Sequence, residues 1–274
     1  MRPDRNKPDD GDLELGPYAD LLRQGLPGPD AIAQNARRRR RQRRAVALLA
    51  CCAAMIGLAA LGPSYSQRTL TTAENVATWQ LSDGSAITLN QHSQAQVSMH
   101  LLSRRVNLES GQGMFDVAHS PLRSFDVQTP YARVEDIGTV FDVRVLPDSI
   151  KVVVVQGLVR VHTDAAAPRD LHSDQAAEFG RHGDQPTRAI KAQYATAWRR
   201  GKMIFDATPL SAVAEELTRY GAPAIAFADN AASGIAISGQ FDIARAPTLL
   251  DLLPTIAPVR ISRREDGSAL ISSR

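Results

Sequence analysis

Ile150-Lys-Val-Val-Val-Val-Gln-Gly-Leu-Val-Arg-Val161 is a run of β-branched residues interrupted by one glycine. Side chains of this kind suit a pleated, packed surface better than a helix. Because Val152 to Val155 are consecutive, the run reads as a strand buried on both faces, with a bend or bulge at Gly157. On either side of it, apolar residues alternate with polar ones. Ile87 and Leu89 begin the series, then Val97, Met99 and Leu101, then Val106 and Leu108. Phe115 and Val117, Phe125 and Val127, and Phe141, Val143 and Val145 continue it. Asp116, Asp126 and Asp142 fall between those core positions and read as solvent-facing. Turn signals separate the segments at Asp83-Gly84, Ser110-Gly111, Ser120-Pro121, Pro130 and Pro147-Asp148-Ser149. Many short strands so spaced predict an all-β sandwich or roll over residues 68–182, ending in the polar stretch Arg181 to Lys191.

Past that stretch the rule changes. Ile190 to Arg199 predicts a short helix carrying Tyr194 and Trp198, and Met203-Ile-Phe205 a strand. Thr208 suits an N-cap with Pro209 after it, and Leu210, Val213, Ala214, Leu217 and Tyr220 share one helical face up to Gly221. Ala224 to Phe227 and Ile235 to Phe241 read as strands and Ala246 to Leu253 as a helix. Val259 to Ser262 pairs with Ala269 to Ser272 across Asp266-Gly267. Residues 190–274 are therefore expected to form a linker helix and a small α+β domain.

Before the β region stands Arg37-Arg-Arg-Arg-Arg-Gln-Arg-Arg44, then Ala45 to Gly62, eighteen residues without a charge. Eighteen helical residues span roughly 27 Å, close to the hydrocarbon thickness of a bilayer. Arg37, Arg38, Arg39, Arg40, Arg41, Arg43 and Arg44 would hold that flank on the cytoplasmic side. The expectation is a single-pass membrane protein, with residues 1–44 cytoplasmic, a transmembrane helix over 45–62 and the rest periplasmic. A cleaved signal peptide would need an n-region of 44 residues, and a soluble core helix would not need seven flanking arginines. Within residues 1–44, Leu15, Tyr18 and Leu22, with Leu21 beside them, make one short amphipathic helix that wants a partner.

Residues 1–44 carry eleven Lys and Arg against seven Asp and Glu, while the chain beyond Gly62 carries 21 against 22. The outer part is near neutral and lacks the basic footprint of a nucleic-acid binder. Cys51 and Cys52 both lie in the apolar run, so the outer part holds no disulfide. No nucleotide-binding, nucleophile-elbow or Cys-x-x-Cys motif is present. The six histidines are scattered through the β region at spacings that converge on no metal, and no pair of carboxylates is set for acid–base work. Neither a catalytic residue nor a cofactor is expected.

Several motifs fall in a familiar order. Leu108-Glu-Ser-Gly-Gln-Gly-Met-Phe-Asp-Val117, Arg123-Ser-Phe-Asp-Val127, Ile137-Gly-Thr-Val-Phe-Asp-Val-Arg144 and Val155-Gln-Gly-Leu-Val159 resemble the periplasmic domain of FecR-type sigma-factor regulators. Trp198 with Gly201, Met203-Ile-Phe-Asp-Ala-Thr-Pro-Leu210 and Glu215-Glu-Leu-Thr-Arg-Tyr220 resemble that family's C-terminal region. That region is similar to the small signalling domain of secretins and TonB-dependent receptors. The resemblance implies an inner-membrane transducer that senses an outer-membrane receptor, often for iron-siderophores, and regulates an extracytoplasmic-function sigma factor. Under it, Leu15, Tyr18, Leu21 and Leu22 would meet the sigma factor. A strand edge around Ile235, Ile237, Phe241, Val259 and Ile261 would meet the receptor's signalling domain. Membrane lipid is the third partner. Family members usually carry a longer, tryptophan-containing cytoplasmic domain than these 44 residues. An envelope binding or scaffold module without a transcriptional role is the alternative reading.

Overall fold

The computed structural model describes residues 29–61 and 66–274, with side chains described for residues 38–57 and 66–274. It divides into two compact units, one ending at Leu58 and one beginning at Ala59. Helix α1 (Pro29–Leu61) makes up the described part of the first unit and ends three residues past it.

The second unit begins with fourteen strands. β1 (Ser66–Thr71), β2 (Ala77–Gln80), β3 (Ala86–Leu89), β4 (Gln94–Met99) and β5 (Ser103–Ser110) come first. β6 (Gln112–Asp116), β7 (Ser124–Gln128), β8 (Arg133–Asp136), β9 (Val140–Val145) and β10 (Ser149–Gln156) follow. β11 (Leu158–His162), β12 (Arg169–His172), β13 (Gln175–Gly180) and β14 (Arg188–Ala189) complete the set. They form two seven-stranded sheets, ordered β1-β4-β5-β7-β8-β11-β12 and β14-β13-β10-β9-β6-β3-β2. The alternating residues face one shared core, in which Ile87, Leu89, Val106, Leu108, Phe115, Phe125, Phe141, Val152, Val154 and Phe179 are buried. Phe115 anchors it, its ring 5.2 Å from Phe141 and 6.1 Å from Phe125.

The valine-rich run is two strands, not one bent strand. β10 lies in one sheet and β11 in the other, and Gly157 is the corner between them, at φ +89°. A Cβ there would stand 2.6 Å from the Gly138 carbonyl oxygen and 2.7 Å from Thr139 Cγ2, so only glycine fits. Burial on both faces does hold for β10. Val152 and Val154 face the main core, while Val153 packs against Ala176 and Ala192 on the outside. Leu101 departs from expectation: it leaves the inward face after Met99 and stands exposed in the β4–β5 loop.

The rest of the unit is α+β. α2 (Ala192–Ala195) and a 3₁₀ turn, Ala197–Arg200, lead to β15 (Lys202–Pro209) and α3 (Leu210–Arg219). β16 (Ile225–Phe227), α4 (Asn230–Gly234), β17 (Ala236–Asp242), α5 (Ala246–Ile256), β18 (Val259–Arg263) and β19 (Ala269–Ser273) follow. Leu210, Val213, Ala214 and Leu217 of α3 are all buried, packed with Leu249, Leu250 and Leu253 of α5 over Val259 and Ile271. Thr208 does not cap α3. Its hydroxyl accepts from the Asp206 N–H at 3.2 Å, in a tight turn with Ala207 at φ +46°, and the helix starts after Pro209. Helix α4 has no sequence-level periodicity because it is one turn long. Asp229 nucleates it by accepting from the Ala232 N–H at 2.7 Å.

Candidate functional site

Helix α1 runs 33 residues, roughly 50 Å. The side chains of Arg38, Arg39, Arg40, Arg41, Arg43 and Arg44 are exposed, and those of Val46, Leu48, Leu49, Met55 and Ile56 are exposed one turn after another behind them. Among the described residues no helix is long and apolar enough to cross a membrane. The expected span, 45–62, runs past Gly57, the last residue of the helix whose side chain is described, and the Arg37 side chain lies outside the described residues. Leu15, Tyr18, Leu21 and Leu22 also lie outside them.

The C-terminal domain offers strand edges. β17 pairs only with β15, and β18 is the outer strand of the order β16-β19-β18. Ile237 and Val259 are buried in the core, and Ile235, Phe241 and Ile261 pack partly buried against it. These five side chains therefore anchor the strands, and what each edge presents is backbone. The direction of that backbone follows from the ladder. Arg264 N–H donates to the Ser268 carbonyl at 2.9 Å and Arg274 N–H to the Pro258 carbonyl at 3.0 Å. In an antiparallel pair hydrogen-bonded positions alternate, so Arg260 and Ser262 bond β19, while Ile261 and Arg263 point their N–H groups outward.

The densest polar constellation was missed by sequence reasoning. It lies where the sandwich meets the C-terminal domain. Asp142 of β9, read as solvent-facing, is 2 % exposed. Its Oδ1 accepts from Gln112 Nε2 at 2.8 Å and its Oδ2 from Trp198 Nε1 at 3.0 Å. Burial pushes its carboxyl up to about 6, against the pull of those two donors and of Arg219 and Arg144. Asn90 Nδ2 donates to the Tyr220 hydroxyl at 2.8 Å and to Gln112 Oε1 at 3.1 Å, and Arg144 pairs with Glu216. Burial and the neighbouring Arg144 cation lower the pKa of Arg219, whose guanidinium lies 5.7 Å over the Tyr220 ring. Met114, Val140 and Val155 of the sandwich join the C-terminal core beside this seam. A cleft of about 750 Å³ opens there, lined by Asp142, Arg144, Lys151, Trp198, Phe205 and Glu216 among others.

Asp126 is a second correction. It too is buried, held by Ser124 Oγ at 3.2 Å and an Arg133 guanidinium at 3.3 Å, and burial raises its pKa. Of the three alternating aspartates only Asp116 faces solvent. Elsewhere His162 Nε2 and Glu135 Oε2 meet at 2.8 Å, and among the described residues no three His, Cys, Asp or Glu side chains converge on a metal position. The chemistry on offer is a buried, protonatable carboxyl at the wall of that cleft.

Comparison with known proteins bears on the sandwich first. No curated protein matches the chain. Two crystal structures of a candidate anti-sigma factor from Parabacteroides distasonis resemble it in fold, with TM-scores of 0.63 and 0.61 at 22 % identity. Each covers 76 % of this chain, and 100 % and 99 % of the other chain is matched. Residues 67–160, from β1 to the middle of β11, match the FecR protein family. The chain therefore carries a FecR domain, which takes in the double-sheet sandwich from β1 into β11.

Proposed function

We propose that this protein is a single-pass, non-enzymatic signal transducer of the inner membrane that regulates an extracytoplasmic-function sigma factor. The observation that carries the reading is the FecR domain at 67–160 placed directly behind Arg37–Gly62. A basic run followed by an apolar one supports a topology with the domain on the far side of a membrane from residues 1–44. The exposed Val46, Leu48, Leu49, Met55 and Ile56 of α1 support a lipid partner. The name of the structural neighbours, anti-sigma factor, supports a sigma-factor partner.

In this reading Leu15, Tyr18, Leu21 and Leu22 fold onto the sigma factor as they bind. The periplasmic input is the signalling domain of a TonB-dependent receptor, with iron-siderophore occupancy as the signal. It docks by adding a strand to the edge of β18 or β17. At β18 the outward N–H groups of Ile261 and Arg263 would donate to it. Arg263→Pro removes one of these without touching the ladder to β19.

The test is a pull-down from membranes with the intact chain as bait. Wild type should retain one sigma factor, and Leu21→Asp with Leu22→Asp should lose it while the protein stays inserted. Arg263→Pro should keep the sigma factor and lose the receptor domain. Retention of the sigma factor by the double aspartate variant would overturn the cytoplasmic half of the reading. Unchanged receptor capture by Arg263→Pro would remove the β18 edge.

A further inference from the structure

The lower end of the sandwich can be located strand by strand. Ser66 of β1 stands opposite Met99 of β4, and Met99 opposite Arg104 of β5. β5 and β7 run parallel, with Ser103 beside Ser124, and Phe125 of β7 faces Asp136 of β8. These positions form one row across the sheet. The parallel pairing forces the loops entering β5 and β7 to the same end, together with the loop leaving β8. At about 4.8 Å per strand the row from β1 to β8 measures roughly 19 Å.

That end carries exposed apolar side chains that the fold does not use. Leu122 is 81 % exposed, Leu101 66 % and Ile137 45 %. Among the described residues of the second unit, the other large apolar residues this exposed are Leu252 and Ile256 on α5. The loop bearing Leu122 is held from beneath. Buried Arg104 donates through one guanidinium nitrogen to Asp83 at 2.7 Å and to the Ala118 carbonyl at 2.9 Å. Its other nitrogen donates to the Arg123 carbonyl at 2.9 Å. Arg104 thus ties both ends of the 118–123 loop to the sheet, and the leucine is presented on a fixed base. Arg105 of β5 is exposed one residue in from this row, and exposed Asp116 and half-buried Asp136 lie at the same end.

The second observation is where the chain enters. Ser66 begins β1 at this same end, and Gly62, the last residue of the apolar run, precedes it by four residues, about 14 Å of chain at most. We infer that Leu101, Leu122 and Ile137 form a second membrane contact, seating this end of the FecR domain in the surface of a bilayer. Apolar side chains at loop tips on a firmly held base suit the headgroup–acyl boundary, where apolar atoms enter and the polar loop backbone stays with the headgroups. The contact would orient the sandwich upright and carry the C-terminal domain away from the membrane. It rests on the reading of 45–62 as a membrane anchor.

The experiment uses the full chain in vesicles of phosphatidylethanolamine and phosphatidylglycerol, with Cys51→Ser and Cys52→Ser as background. Single spin labels are placed through Leu122→Cys, Leu101→Cys, Asp148→Cys and Ala54→Cys. Asp148, in the exposed turn between β9 and β10, marks the opposite end of the sandwich, and Ala54 reports the anchor. Collision with oxygen over collision with a water-soluble nickel chelate should be several-fold higher at 122 and 101 than at 148, and highest at 54. Exclusion of nickel at 54 with free access at 122 and 101 would overturn the surface contact and leave the anchor standing. Free access at all four positions would remove both. Shielding at 122 that grows with the protein-to-lipid ratio would mean a second copy covers the patch, and would also overturn the lipid contact.

Discussion

Asp142 shows what burial does to an ordinary carboxyl. Two donors reach it, yet desolvation wins and its pKa rises from the usual 3.8 to about 6. The folded state therefore binds a proton more tightly than the unfolded chain, so the contribution is fully present below about pH 4 and is lost as pH rises through 6. Between those limits the loss amounts to about 3 kcal/mol at most. Asp142→Asn cannot titrate. Its amide nitrogen meets one of the two donors, so its melting curve should start below wild type at pH 4, then gain on it steadily up to pH 6, with a constant offset above. Parallel curves across pH 4 to 8 would mean that Asp142 is not the titrating group. The sequence hid this residue for a specific reason. Phe115-Asp116-Val117, Phe125-Asp126-Val127 and Phe141-Asp142-Val143 repeat one pattern, and in all three the Phe and Val enter the core. The fate of each aspartate depends on what covers the outer face of its strand. For Asp142 the cover is Trp198, 56 residues downstream, which no local periodicity can report.

At the scale of elements, strands and helices were legible because burial imposes a period of 2 or 3.6 on one face. Sheet membership was not, since pairing is non-local. The parallel β5–β7 contact and the change of sheet at Gly157 both follow from closing two sheets on one core. Gly157 is the clearest test of that corner. Gly157→Ala forces a left-handed backbone on a residue with a Cβ and drives that atom into Gly138 and Thr139. Strain and overpacking together should cost about 2–5 kcal/mol, a fall in melting temperature of roughly 10 °C. Gly183→Ala is the matched control, with φ +99° and nothing within 4 Å of the added atom. It should show the backbone part alone. Equal losses in the two variants would mean that the corner is not sterically closed.

At the scale of the whole molecule, the seam decides whether the sandwich and the α+β domain move as one body or are merely tethered. The sandwich and the α+β domain have separate cores, but Asn90–Tyr220, Asp142–Trp198 and Arg144–Glu216 cross between them, beside Met114, Val140 and Val155. Polar contacts inside such a seam are costly to leave half made. Trp198→Phe keeps an apolar ring and strands one Asp142 oxygen, and Tyr220→Phe strands one Asn90 N–H while the other stays with Gln112. Each should cost about 1–3 kcal/mol. Because both act on one seam, their combination should exceed neither core's stability yet uncouple the two. Calorimetry of wild type should then give one transition for residues 66–274, and the double variant two. In the proposed signalling role the same variant should still capture the receptor domain at the β18 edge, since that edge is untouched. Its sigma-factor output should no longer follow receptor occupancy. A double variant that melts in one step and signals normally would mean that the seam only packs, and that information passes along the linker at 190–201 instead.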